Sequence, residues 1–317
     1  MRALVWDGDE LRFVADAPEP NLVSGHAIVR VSRAGICSTD LQILQGYMGF
    51  RGVPGHEFVG EVIDGPEPWK KRRVVGEINF ACGRCATCAA GRPRHCPSRT
   101  VMGIQGADGA FAELVRIPIE NLHAVPDGLE DDQAAFVEPL AAAFEVHEQT
   151  RAMEGGKTTV LGAGKLGLLV AQVLDRRGDH VSVLCRNERA RERVAALGLR
   201  SIDFRGAERH QDLVVESTGS PEGLPMALEL VRPLGSIVVK STVASQHTLD
   251  FAPLVINEVS LIGSRCGPFA PALEALERGS VSVGPLLEGT YPLSRGADAM
   301  GAAASPGALK LLLDPAG

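Results

Sequence analysis

"KTTVLGAGKLGLLVAQVLDRRG", residues 157–178, decides the fold. Lys157 to Leu161 reads as a short buried strand, and "LGLLVAQVLDRRG" as a helix that stops at a glycine. Between them lies G-x-G-x-x-G, formed by Gly162, Gly164 and Gly167. The pattern alone carries little weight, since a glycine-rich loop in an α/β protein can bind nothing. Following a strand and opening a helix, it reads as a dinucleotide fingerprint. Gly162 permits the tight turn, Gly164 lets the backbone approach a pyrophosphate, and Gly167 allows close helix–strand packing. The helix start, with Lys165 and Leu166, offers amide donors and a positive dipole end to phosphates.

Downstream the same style continues. "HVSVLC" is a second strand and "RARERVAALG" a second helix, and "DLVVEST", "GSIVVKS" and "SLIGS" are further strands. Such a run of βα units builds a doubly wound parallel sheet. Thr218, the last residue of "DLVVEST", joins the expected cofactor set. The stretch "SIDFRGAERHQDLVVE" is short, so one crossover is expected to lack its helix. A carboxylate at the end of the second strand would accept hydrogen bonds from the adenosine ribose and favour NAD(H). Cys185 stands there, followed by Arg186, whose guanidinium can pair bidentately with a 2′-phosphate. NADP(H) is therefore favoured over NAD(H).

Upstream, residues 1–137 carry short β-branched runs broken by glycine and proline, the mark of a mostly antiparallel β domain. Within it "CGRCATCAAGRPRHC" places Cys82, Cys85, Cys88 and Cys96 in fifteen residues, spaced C-x2-C-x2-C-x7-C. The first twenty residues show no basic start, apolar stretch or cleavage site of a secretory signal, so reduced thiols are expected. Four clustered thiolates fill a tetrahedral ion's sphere, which predicts a structural zinc. The net charge of −7 and the absence of a long basic run argue against nucleic acid. No apolar run reaches the ~18 residues of a membrane span. The expectation is a soluble cytoplasmic protein.

A second constellation comprises Cys37 in "AGICSTD", His56 and Glu57 in "VPGHEFVGEV", and Glu138 in "FVEPLAAA". Singly, these read as a small buried residue, a core histidine and surface acids. Together they make a mixed donor set that leaves zinc an open position. "QGYMGF", with Tyr47, Met48 and Phe50, reads equally as pocket lining or as packing.

In that order, C-S-T-D, G-H-E-x-x-G-E, the four-cysteine loop, E-P-L and G-x-G-x-x-G resemble the zinc-dependent medium-chain dehydrogenase/reductase family. The likeness is to the branch of sorbitol, threonine and glucose dehydrogenases. It implies an α/β chain: a GroES-like catalytic domain over 1–137 and 268–317, with a zinc lobe at about 80–98, and a Rossmann domain over 138–267. It implies two zinc ions per subunit, the catalytic one held by Cys37, His56 and one or both of Glu57 and Glu138. Asp40 would orient His56, and Thr39 would relay a proton unless it only caps its helix. The implied reaction moves a hydride between a nicotinamide and an alcohol/carbonyl pair: a secondary alcohol, polyol or sugar-like alcohol. Reduction of C=C or C=N bonds, or a non-catalytic binding role, are the alternatives. A homodimer or homotetramer is implied. One departure is Gln42, where relatives often carry a relay histidine.

Overall fold

The computed structural model describes residues 1–203, 206–242 and 249–317. The chain forms two compact units. The first comprises Met1–Glu138, Ala272–Arg278 and Leu287–Gly317, and the second Pro139–Pro271 and Gly279–Leu286.

The first unit is built on a seven-stranded sheet around the strand His26–Gly35. That strand pairs antiparallel with Glu57–Asp64, Leu114–Pro118 and the last strand of the chain, Lys310–Asp314. Ala27, Val29 and Val31 share one face of it and are buried, and past a register shift between Val31 and Arg33 the next buried side chain is Ala34. Strands from residues 287–314 thus complete a sheet otherwise built from residues 26–124. Leu312 lies opposite Gly35, and Leu313 opposite Ala34.

The "QGYMGF" segment packs rather than opens. Phe50 is buried with Trp6 and Ile43, and Tyr47 lies against the same cluster. Of its three large apolar side chains, Met48 is the one left exposed.

The second unit is a six-stranded parallel sheet. Its order is Arg200–Ile202, His180–Leu184, Lys157–Leu161, Gln211–Glu216, Val231–Val239 and Ser260–Gly263. Numbered along the chain this is 3-2-1-4-5-6, the Rossmann arrangement, whose strand-order reversal lies at Lys157–Leu161. Buried Val160, Val183, Val214 and Val238 make its strands apolar on both faces. Phe204 and Arg205, in the stretch expected to lack a helix, lie outside the described residues. The described residues on either side of them carry none.

The division differs from the sequence expectation at the tail. Residues 268–271 and 279–286 fall with the nucleotide unit instead of the catalytic one. The side chain of Gln172, on the helix Lys165–Arg177, explains the second piece. It donates to the carbonyl of Ser282 at 3.1 Å and accepts from its N–H at 2.8 Å. Val281 and Val283 are buried on either side.

Candidate active site

Cys37 ends the turn after the strand His26–Gly35 and precedes the helix Ser38–Ile43. Asp40, in that helix's first turn, is fully buried and does two jobs. One carboxylate oxygen accepts the backbone N–H of Cys37 at 2.7 Å. The other stands 3.2 Å from Nδ1 of His56, itself buried. Burial disfavours the imidazolium, yet the Asp40 carboxylate and Cys37 together raise the pKa of His56 well above its ordinary value. With Nδ1 committed to Asp40, Nε2 is the nitrogen left for a ligand.

Cys37, His56 and Glu57 bring one ligand atom each within 4.8 Å of one another. A soft sulfur, an imidazole nitrogen and a carboxylate oxygen at that span suit zinc with a position to spare. Glu138, in the helix Val137–Gln149, lies outside that set of three. Thr39 sits in the helix rather than capping it, with its hydroxyl 3.7 Å from the Cys37 sulfur.

Sequence reasoning missed Lys310. This lysine is fully buried and forms an ion pair with Glu57, while its Nζ also reaches the carbonyl of Ile36 at 3.4 Å. Burial lowers the lysine's pKa, but the carboxylate of Glu57 outweighs this and holds it above the ordinary value. Gly35, paired with Glu57 across the strands, makes room for this carboxylate. A Cβ there would stand 2.4 Å from its oxygen. A lysine in the apolar run "ALKLLLD", 253 residues from its partner, gives no local signal.

In the lobe, the sulfurs of Cys82 and Cys96 are 3.5 Å apart, those of Cys85 and Cys88 3.5 Å, and those of Cys85 and Cys96 3.8 Å. Four sulfurs at the usual Zn–S length of about 2.3 Å on a regular tetrahedron would lie roughly 3.8 Å apart. The spacing therefore fits a closed zinc site. Backbone N–H groups of Arg84 and Cys85 pull the Cys82 thiol down to about 6, whereas desolvation and neighbouring thiols push Cys88 up to about 12.

In the nucleotide unit, Gly162 has φ +106°, and a Cβ there would come within 2.8 Å of the Ser217 carbonyl. A Cβ on Gly167 would meet the Gly162 carbonyl at 2.0 Å. Over Gly164 there is open space, so the loop leaves its backbone accessible just before the helix that begins at Lys165 and Leu166. That is the cradle a pyrophosphate needs. Thr218 is fixed by Glu216, whose carboxylate accepts its N–H at 2.7 Å and its hydroxyl at 2.6 Å. Cys185 is buried, with its thiol against the Val183 carbonyl, so its side chain faces inward. Arg186, the next residue, is exposed.

Residues 23–127 match the alcohol dehydrogenase GroES-like domain. Over 345 aligned residues the chain is 32% identical to an L-threonine 3-dehydrogenase of Streptomyces coelicolor, covering 99% of each. This chain belongs to the zinc-type medium-chain alcohol dehydrogenase family. It is similar also to a sorbitol dehydrogenase of Halalkalibacterium halodurans, 28% identical with 95% of each chain covered. A solved short chain alcohol dehydrogenase of Escherichia coli CFT073 complexed with NADH superposes with a TM-score of 0.90 at 25% identity, over 99% of both chains. This dehydrogenase is thus a zinc-type oxidoreductase acting on alcohols with a nicotinamide cofactor. Nothing in these likenesses supports the reading as a C=C or C=N reductase. Among the described residues no helix is long and apolar enough to cross a membrane.

Proposed function

We propose that this dehydrogenase interconverts a secondary alcohol, polyol or sugar-like alcohol and its carbonyl, using NADP(H), in the cytoplasm. The observation that carries the reading is the convergence of Cys37, His56 and Glu57 within 4.8 Å, backed by Asp40 and Lys310. Cys37, His56 and Glu57 hold the catalytic zinc, and Cys82, Cys85, Cys88 and Cys96 the structural one. Glu138 serves as an alternate ligand. Zinc at the first site supplies a Lewis acid that polarises the alcohol or carbonyl oxygen and brings alcohol deprotonation toward neutral pH. Asp40 keeps the His56 ring in one orientation and one tautomer, with Nδ1–H toward the carboxylate. Lys310 holds the charge of Glu57 in a buried setting. The Thr39 hydroxyl takes the proton from the reacting oxygen and passes it outward. A nicotinamide bound beside the glycine loop would supply the hydride acceptor or donor for the substrate carbon.

The test is zinc per chain in protein purified without chelator, combined with a panel of alcohols, ketones and enones. About two equivalents are expected, falling by one in Cys96→Ser and by the other in Cys37→Ala. One equivalent that survives Cys37→Ala would overturn the catalytic assignment.

The NADP(H) preference rests on Arg186 and on the missing strand-end carboxylate. Arg186→Ala is expected to raise the Kd for NADPH about 10–100-fold and to leave that for NADH within about twofold, since only the phosphoester loses a charge-assisted partner. Fluorescence titration of both cofactors reads this directly. Equal losses for both would remove the preference.

A homo-oligomer fits the edge strand Ser260–Gly263 of the second unit. Leu261 on it is exposed, and in the same unit so are Leu234, Phe251, Val255 and Ile256, the last two by 74% and 78%. An open strand edge with apolar neighbours favours pairing with a second copy.

A further inference from the structure

In a doubly wound sheet both faces are ordinarily apolar and covered by crossover helices. In the second unit one part of one face breaks this rule. Between the strands Arg200–Ile202 and Gln211–Glu216 no helix occurs among the described residues. The face beside that connection is polar. Parallel register sets Lys157 beside His180, Thr159 beside Ser182, and Ser182 beside Arg200. Side chains two apart on a strand share a face, so all five point the same way. With Glu208 from the connection they line a cavity of about 310 Å³.

The charges in this cavity are unevenly met. Lys157, His180 and Arg200 come from three adjacent strands, and Glu208 is the one acid among the lining residues. Its carboxylate stands 3.7 Å from the Lys157 ammonium and 3.6 Å from the Arg200 guanidinium, beyond good hydrogen-bond range for either. All three groups are more than half exposed, so these contacts are loose and the carboxylate can swing away. The buried hydroxyl-bearing residue Thr159 floors the cavity beside the partly buried Ser182. The cavity also lies away from the glycine loop. Lys157 begins the strand whose other end leads into Gly162, a span of about 16 Å at about 3.3 Å per residue.

We propose that this cleft binds a small phosphate-bearing anion. Arg200 and Lys157 pair with it from two sides, the Thr159 and Ser182 hydroxyls donate from beneath, and Glu208 is the counter-ion it displaces. A phosphate's tetrahedral oxygens accept from several directions at once, which suits donors converging from three strands better than a planar carboxylate would.

The experiment titrates inorganic phosphate, and separately a sugar phosphate, into the whole chain. The imidazole ring proton resonances of His180 are followed, assigned by their loss in His180→Gln. A saturable shift is expected, weakened at least about 10-fold by Arg200→Gln and tightened several-fold by Glu208→Gln. Both replaced side chains are largely exposed, so the variants keep the fold. Tighter binding of the ester marks a phosphorylated metabolite as the source, and equal binding marks free phosphate. Anion held at the glycine loop would leave the His180 resonances unmoved. That result, or a shift insensitive to both charge variants, overturns the proposal.

Discussion

Cys37→Ala is expected to lower kcat/KM by at least about 10³-fold while leaving the unfolding midpoint nearly unchanged. The loss corresponds to about 4 kcal/mol of transition-state stabilisation, the scale of removing a polarising metal from a reacting oxygen. The fold should persist because Asp40 is bonded to the backbone N–H of residue 37, not to its sulfur. Alanine keeps that bond, the turn into the helix Ser38–Ile43 and the orientation of His56. Steady-state kinetics, thermal unfolding and metal content on the same preparation check the claim. A variant that turns over normally, or one that unfolds many degrees earlier, would sink the division between a catalytic and a structural metal site.

The second large effect is on stability. Lys310→Met should cost about 3–5 kcal/mol, the range for removing one partner of a buried ion pair. Both side chains are only 1% exposed, so the carboxylate of Glu57 cannot recover its charge partner from water. Methionine fills nearly the same volume, which makes the missing charge, rather than a cavity, the source of the loss. Adding Glu57→Gln to this variant should restore a good part of the stability, since the amide carries no charge to strand. Denaturant unfolding of the two single variants and the double variant gives the coupling. If the double variant is no more stable than Lys310→Met alone, the pair does not work as described.

How far the sequence could be read follows from the reach of each signal. The glycine loop, the four cysteines and the His56–Glu57 pair are compact motifs whose geometry is set within a few residues, and each was legible. The parallel sheet was legible for the same reason, because a βα unit announces itself by local periodicity. The division of the tail was not. Residues 279–286 join the nucleotide unit through the side chain of Gln172, more than a hundred residues away. Lys310 was invisible because a lysine in a strand reads as solvent-facing until its partner on another strand is known. Glu138 shows the opposite limit. It belongs to a recognisable motif, yet only coordinates place it beyond the three converging ligands.

The split of the first unit between the two ends of the chain also bears on synthesis. The strand Lys310–Asp314 fills its place beside His26–Gly35 only long after that strand has left the ribosome. Lys310 follows Glu57 by 253 positions, which at translation rates of about 5–20 residues per second is a delay on the order of 10–50 s. Throughout that interval the newborn amino-terminal half has an open sheet edge and a carboxylate awaiting its cation. The nucleotide unit, nearly contiguous in sequence, can meanwhile close on itself. This late-made strand therefore acts as a completion check: a chain truncated before residue 310 lacks both the strand that pairs with Ala34 and Gly35 and the cation that meets Glu57.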